Sequence, residues 1–171
     1  MKWHTHKLAG VALAIGLGSS PLELVSILAG AVLPDVLDYT IAAGSPELFA
    51  RLHRGATHWF GWWLLATIAG VTSVLPMPFD GIVFGLGVGG VSHCLLDALT
   101  NSGVPLVLGR RYPRLKARLF NTGSLGELVF ASAILGIGYL HQQTVLSYGY
   151  QAFTWFKCAR LSPYSLGALC F

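Results

Sequence analysis

Long apolar stretches are the feature that most limits what this chain can fold into. A helix needs about 20 consecutive apolar residues to cross the hydrocarbon core of a bilayer. Charged residues make up only 11% of the 171 residues, against about 25% in soluble domains. We therefore predict an all-α integral membrane bundle of about four to five apolar helices, folded as a single domain over residues 1–171. The stretches lie at residues 8–33, 57–76, 80–100 and 125–146.

The first stretch is longer than one span and is interrupted at Gly18-Ser19-Ser20-Pro21. Ser20 before Pro21, with Glu23 three residues after the serine, is the pattern of a capping box with proline in the first helical turn. It predicts that one helix ends near Leu17 and that the next begins at Pro21. We favour a short hairpin whose halves, of about 12 residues each, rise only ~18 Å into the bilayer. The alternative is one kinked spanning helix. A cleaved signal peptide is not expected, because an apolar segment resumes directly after the break.

Acidic residues and histidines gather in short clusters instead of scattering over a surface. The clusters contain three of the seven Asp and Glu residues and five of the six histidines. Carboxylate oxygens and imidazole nitrogens together are the ligands that Zn²⁺ or Mn²⁺ takes in hydrolytic centres. The clusters are His4-Thr5-His6, Pro34-Asp35-Val36-Leu37-Asp38, His53-Arg54-Gly55-Ala56-Thr57-His58 and His93-Cys94-Leu95-Leu96-Asp97.

Two of the clusters place a pair of candidate ligands on one helix face. His93 and Asp97, four residues apart, can clamp one metal ion, or else join two helices as polar partners. An ionisable residue within a membrane segment is a functional candidate by default. Asp35 and Asp38, three residues apart after Pro34, can face the same way and would then repel each other without a cation. The alternative for this pair is a helix cap at Asp35 with Asp38 solvated.

The cluster before the second apolar stretch combines two histidines with an arginine. Gly55 allows a tight turn, and Thr57 can cap a helix that begins at His58. His53 and His58 are candidate metal ligands. Arg54 between them suits the capture of a phosphate or carboxylate group, and the alternative is an arginine that only reaches the membrane surface.

The remaining candidates carry weaker signals. His6 is a candidate ligand, whereas His4 cannot share its helical face and is expected to support the site or to face solvent. Glu127 is a candidate ligand or general base, although the helix dipole alone favours a carboxylate in a first turn. His141 and Cys94 are expected to be structural. Three cysteines without a CxxC pair argue against a disulfide framework and against a cysteine-rich zinc site.

A hairpin over the first stretch would bring all of these ligands to the same face of the membrane. Positive-inside logic makes that face cytoplasmic, although the same basic residues would also suit an anionic substrate. The aromatic tail at residues 147–171 is either an interfacial segment or a fifth, imperfect apolar helix. Nine of the eleven basic residues lie on the ligand-bearing side: Lys2, Lys7, Arg51, Arg54, Arg110, Arg111, Arg114, Lys116 and Arg118.

These motifs resemble the YdjM-like (LexA-regulated) family of bacterial inner-membrane, metal-dependent hydrolases. The order of ligand types is also similar in kind to the helical zinc phospholipase C enzymes. One position departs from the family pattern, because Val36-Leu37 separates two acids that the family often has as PDxD. The matching elements are Thr5-His6, Leu33-Pro34-Asp35-x-x-Asp38, His53-Arg54-Gly55-x-Thr57-His58, His93-x-x-Leu96-Asp97-x-x-Thr100-x-x-Gly103 and Gly123-Ser124-x-x-Glu127. The resemblance implies metal roles for His6, Asp35, Asp38, His53, His58, His93, Asp97 and Glu127.

We therefore expect a metal-dependent hydrolase of a phosphoester or lipid-type substrate at the cytoplasmic face of the bacterial inner membrane. One to three divalent ions, zinc or alternatively manganese, would activate water and polarise a phosphoryl oxygen. Arg54, with Arg110 or Arg111, would neutralise the developing charge, and Glu127 would serve as general base. The expected partners are membrane lipid and a small-molecule or lipid phosphoester, not nucleic acid.

Two rival expectations remain open. One is a non-enzymatic metal-binding membrane protein, either a sensor or a transporter. Transport is disfavoured because the acids and histidines stop at one face of the membrane. The other is a structural scaffold in which the clusters only cap helices.

Overall fold

A computed structural model describes residues 1–17, 19–72, 74–108 and 113–140. The described residues are predominantly helical, in agreement with the predicted all-α class, and they add one pair of two-residue strands that the apolar pattern does not predict. The elements are α1 (Trp3–Gly16), α2 (Pro21–Gly30), α3 (Leu33–Ile41), α4 (Pro46–Leu52), a 3₁₀ turn (Ala56–His58), α5 (Phe60–Val71), α6 (Phe79–Ala98), β1 (Val104–Pro105), β2 (Arg114–Leu115) and α7 (Leu125–Leu140).

The break in the first apolar stretch has the structure that the sequence predicts. The Ser20 side chain accepts a hydrogen bond from the Glu23 amide, and the Glu23 carboxylate accepts one from the Ser20 amide. Helices α1 and α2 then lie side by side, because a Cβ atom added at Gly10 would lie 3.0 Å from the Cβ atom of Ala31. The first half of α1 therefore packs beside the end of α2, which is the geometry of a hairpin and not of a kinked single helix.

Only part of the predicted set of full-length spans is present. Among the described residues, α6 has the length and apolar composition of a membrane-spanning helix, and α2 with α3 qualifies as a second span if the two, bent by 49°, are taken together. The second apolar stretch gives only the 12 residues of α5, because the 3₁₀ turn and an extended Trp59 replace its first turn. The predictions for His141, for Arg110 and Arg111, and for the tail at 147–171 lie outside the described residues.

Helix α6 lies between α2 and α5 at very short backbone distances. A Cβ atom added at Gly89 would lie 2.2 Å from the carbonyl oxygen of Ile27 in α2, and one added at Gly87 would lie 2.3 Å from the amide nitrogen of Thr67 in α5. Small residues at helix interfaces are the usual means of close packing within a bilayer, because lipid offers no hydrophobic driving force between helices. The glycines thus bring the last turns of α6 close to the end of α2 and to the start of α5.

The C-terminal end of α6 is covered by the chain that follows it. Strands β1 and β2 pair antiparallel, with Val104 opposite Leu115. The amide of Ala117 donates a hydrogen bond of 2.7 Å to the carbonyl of Ala98. Helix α7 then packs along α1, so that a Cβ atom added at Gly138 would lie 3.0 Å from the carbonyl oxygen of Ala12.

Gly89→Ala is expected to lower the free energy of unfolding by about 1–3 kcal/mol, the usual cost of overpacking, because the new methyl group collides with α2. Gly136→Ala is the matched control, since nothing lies within 4 Å of a Cβ atom at that position of α7. Thermal unfolding of both variants in the same detergent measures the difference. Equal melting temperatures for the two variants would contradict the packing of α6 on α2.

Candidate metal centre

Seven candidate ligands from five segments of the chain meet at the C-terminal end of α6. All are buried except His53, whose side chain is 29% exposed. Seven sequence-distant histidine–aspartate pairs among these described side chains have N···O distances of 3.3–3.7 Å. The ligands are His6 in α1, Asp35 and Asp38 in α3, His53 after α4, His58 in the 3₁₀ turn, and His93 and Asp97 in α6.

His58 and His93 form the middle of the cluster. Their Nε2 atoms are 3.1 Å apart, and Oδ1 of Asp35 lies 3.3 Å from Nε2 of His58 and 3.6 Å from Nε2 of His93. Nδ1 of His93 lies 2.8 Å from the carbonyl oxygen of Ala31. Because a carbonyl can only accept, Nδ1 of His93 carries a proton, and Nε2 is the ring nitrogen directed at the other two side chains. Burial lowers the pKa of His58, which favours a neutral ring.

His6 stacks on His93 with ring centroids 3.8 Å apart. Its Nε2 atom lies 3.5 Å from Oδ1 of Asp97, and neither ring nitrogen makes a hydrogen bond within the described residues. Burial lowers the pKa of His6 to about 4, outweighing the opposing effect of Asp97. The ring is therefore neutral at physiological pH, the state in which imidazole binds metals.

The Asp38 carboxylate binds two groups of the segment that carries His53 and His58. Its carboxylate accepts a hydrogen bond of 3.0 Å from the backbone amide of Arg54 and another from the hydroxyl of Thr57. Nδ1 of His53 lies 3.3 Å from Oδ2 of Asp38. The extra residue between the two acids therefore does not remove Asp38 from the cluster, because the helical turn of α3 directs it to the same side as Asp35.

Arg54 contacts both oxygens of Asp97. Nε lies 3.0 Å from Oδ2, Nη2 donates to Oδ1 at 3.1 Å, and Nη1 donates to the hydroxyl of Thr100 at 2.9 Å. The amino group of Met1 also donates to Asp97. The guanidinium is thus buried and binds a carboxylate, and the role of Arg54 toward a substrate phosphate stays a prediction.

Glu127 lies apart from this cluster. Its carboxylate accepts hydrogen bonds from the Thr5 hydroxyl at 2.6 Å, from the Lys2 amide at 2.8 Å and from the Gly123 amide at 2.6 Å. Both oxygens thus bind groups that join the start of α7 to the start of α1, and the role of Glu127 as ligand or general base stays a prediction. His4 is exposed, in agreement with its expected exclusion from the ligand set.

The donor set fits a divalent metal. Three groups of side chains bring one ligand atom each to within 4.8 Å of one another, and the groups share members. Within residues 1–140 as far as they are described, buried nitrogens of His6 and His53 and one oxygen of Asp35 make no hydrogen bond, which is costly unless something else binds them. Imidazole and carboxylate together suit zinc or manganese. The groups are His6, Asp35 and His93; Asp35, His53 and His58; and His58, His93 and Asp97.

Three supporting groups were not assigned to the site from the sequence. Thr57 and Thr100 stand in the recognised motifs, but their spacing does not say that they would bind Asp38 and Arg54. The carbonyl of Ala31 has no side-chain signal and becomes visible only when α2 packs on α6. Cys94 is fully buried in the core, as expected, with its thiol 3.4 Å from the carbonyl oxygen of His58.

Arg54→Lys is expected to weaken zinc binding by about 10–100-fold, the usual effect of losing a group that orients a ligand. Lysine keeps the charge but cannot contact both oxygens of Asp97. Competition with a chromophoric chelator measures the affinity. Arg51→Lys, at an exposed position of α4, is the control, and equal losses in both variants would contradict this role of Arg54.

The chain was compared with known proteins. The family model described as YdjM inner membrane protein matches residues 1–161. No curated protein and no solved structure gives a significant match. The match covers nearly the whole chain, including every ligand of the cluster. The chain therefore belongs to the YdjM inner membrane protein family.

Proposed function

We propose that the protein is a membrane-bound, metal-dependent hydrolase of phosphoester bonds. The observation that carries the proposal is the shared set of buried imidazole and carboxylate atoms, in which Asp35, His58 and His93 each belong to two of the three candidate metal groups. Shared ligands are what a centre with more than one metal ion needs. Zinc is the proposed ion, with manganese as the alternative.

The charge balance of the cluster supports a bound cation. Asp35, Asp38 and Asp97 bring three buried carboxylates, while the buried positive groups in contact with them are the Arg54 guanidinium and the Met1 amino group. Burial lowers the pKa of His6 and of His58, so these two rings favour the neutral state. Negative charge is therefore in excess within a low-dielectric environment, where an unpaired charge is costly.

Divalent metal held by these ligands would supply Lewis-acid polarisation of a phosphoryl oxygen and activation of water at neutral pH. The chain itself fixes the ligands. The Ala31 carbonyl orients His93, Arg54 orients Asp97, and Thr57 with the Arg54 amide orients Asp38. Hydrolysis would join the water oxygen to phosphorus and release the ester oxygen as an alcohol.

His53 marks the side from which a substrate would approach. Its side chain is 29% exposed, whereas those of Asp35, Asp38, His58, and Asp97 are at most 3% exposed. Its ring stacks on Phe49 at a centroid distance of 4.8 Å. A phosphoester that reaches the cluster past His53 would meet ligands shielded from bulk water, which strengthens electrostatic interactions with the reacting group.

A non-enzymatic metal-binding role, as a sensor, is the second candidate. It is favoured by the complete burial of His6, His58 and His93, since structural metal sites are closed whereas catalytic sites keep an open position. Turnover decides between the two candidates.

Detergent-purified protein is expected to contain stoichiometric zinc or manganese and to hydrolyse bis(p-nitrophenyl) phosphate in a chelator-sensitive reaction. His93→Ala and Asp97→Asn are expected to lose metal and to lower turnover by at least about 100-fold, more than the loss of a supporting group. Elemental analysis and the release of p-nitrophenolate measure the two effects.

His4→Ala is the matched control, because this histidine is exposed and belongs to none of the candidate groups. It is expected to retain both metal and turnover. Bound metal without turnover on a broad panel of esters and phosphoesters would favour the sensor. Protein without stoichiometric metal would contradict both candidates.

We propose that the centre faces the cytoplasm, as the basic residues of the ligand-bearing side favour. Cysteine introduced at exposed Arg118 should then react with a membrane-impermeant maleimide only after the membrane is opened. Cysteine introduced at exposed Val74, in the α5–α6 connection at the other end of α6, should react in intact spheroplasts. Both variants would carry Cys158→Ser and Cys170→Ser, with buried Cys94 retained. The reverse pattern would overturn the orientation.

A further inference from the structure

An apolar groove lies beside the metal centre, between α1, α6, α7 and the chain at 115–117. Its volume is about 540 Å³, within the range of about 300–1,000 Å³ found for ligand pockets. The lining is almost entirely carbon, and its polar side chains are Ser92 and Lys116. Ser92 already donates a hydrogen bond of 2.7 Å to the carbonyl of Gly89, so the groove has one polar group to offer a ligand.

The groove runs along α6 and has one charged end. Along α6 its wall runs from Val88 to Leu99, a rise of roughly 16 Å, which is about half of the ~30 Å hydrocarbon core. Lys116 lies at the C-terminal end of α6, because the neighbouring Ala117 amide binds the Ala98 carbonyl. The charged end of the groove and the metal ligand Asp97 are therefore at the same end of this helix.

The groove and the metal centre share a wall. Ser92 and Leu96 line the groove, and each directly precedes a metal-ligand candidate, His93 or Asp97, that turns to the other side of α6. Met1 packs on Leu96 while its amino group binds Asp97. A molecule that fills the groove would end beside the cluster.

We infer that this groove binds an acyl chain of an anionic phospholipid, with the headgroup phosphate at Lys116 and beside the metal centre. A protein of the inner membrane is surrounded by such chains, the groove is one leaflet deep, and the lysine complements a phosphate charge. The inference deepens the proposed function and rests on it only for the hydrolysis of the lipid. Binding itself requires neither metal nor turnover.

Photolabelling tests the binding. The full chain, without added metal, would be placed in bilayers of equal parts phosphatidylcholine and phosphatidylglycerol, where the phosphatidylglycerol carries a diazirine in one acyl chain. Mass spectrometry then locates the label. We expect it on residues 88–99 and 115–117 in excess over the equally lipid-exposed face of α5 around Leu65. Label spread evenly over both faces would overturn the inference. An unlabelled groove, as expected if another part of the chain keeps lipid out, would also overturn it.

Two matched pairs of variants sharpen the result. Leu95→Trp fills the groove and should lower labelling of the groove about tenfold. This is the effect expected if about two methylene groups of the acyl chain are no longer buried. Leu65→Trp alters a similarly exposed leucine on α5 and should have no effect. Lys116→Gln should reduce labelling by phosphatidylglycerol about fivefold, because one lysine contributes ~1 kcal/mol near an anionic surface. Lys7→Gln is the control and should not reduce it. Equal effects within either pair would overturn the assignment.

The outcomes separate this inference from the proposed function. Groove labelling without hydrolysis of any phosphoester would leave the lipid site standing and remove the hydrolase. Chelator-sensitive hydrolysis without groove labelling would keep the hydrolase and remove the acyl chain from its substrate.

Discussion

The close backbone contact between α6 and α2 is the interaction on which the rest of the structure depends. It exists because Gly89 lets the carbonyl of Ile27 approach to a distance that no side chain would allow. The end of α2 then presents the Ala31 carbonyl to His93, and α3 follows directly with its two aspartates. One helix contact thereby sets the tautomer of a central histidine and brings Asp35 to it, while Asp38 lies against the neighbouring His58. In a bilayer such contacts are held by van der Waals packing, which tolerates little change.

The second constraint is the cost of burying charge. Three carboxylates are buried, and the contacts described for them include two positive groups, the Arg54 guanidinium and the Met1 amino group. Arg54 and Thr57 satisfy individual carboxylate oxygens, but atoms of His6, His53 and Asp35 make no hydrogen bond within the described part of the chain. An arrangement of this kind is unfavourable for stability alone. It is understandable if the stability of the fold includes the binding of a cation.

The sequence predicts the ligand types and their convergence well, because each is carried by local rules. The capping box at Ser20 and Glu23 is a pattern of three residues, and it correctly separates α1 from α2. The spacing of His93 and Asp97 correctly gives a shared helix face. The hairpin matters because it returns His6 to the ligand-bearing side.

What the sequence could not predict depends on tertiary packing. Arg54 has the chemistry of a phosphate ligand and of an aspartate partner alike, and only the fold brings Asp97 within its reach. Glu127 stands in the first turn of α7, where an acid is expected for local reasons. Its carboxylate nevertheless binds the amide of Lys2, which is more than one hundred residues away along the chain. The second apolar stretch begins with a 3₁₀ turn that contains buried His58, so that α5 starts only at Phe60, and its apolar pattern does not signal this turn.

The hydrogen bonds that Glu127 accepts from Lys2 and Thr5 join the start of α7 to the start of α1, so they form only after both helices have been synthesised. Helix α1, which carries His6, leaves the ribosome before the other described helices, but the carboxylate that binds its start belongs to α7, the last of them. The segment that carries His6 is therefore fixed in place last, and until then His6 is not held in the cluster. Of the three candidate metal groups, the one that contains His6 would accordingly be completed only after insertion of the chain as far as α7, whereas the two groups without His6 do not depend on it.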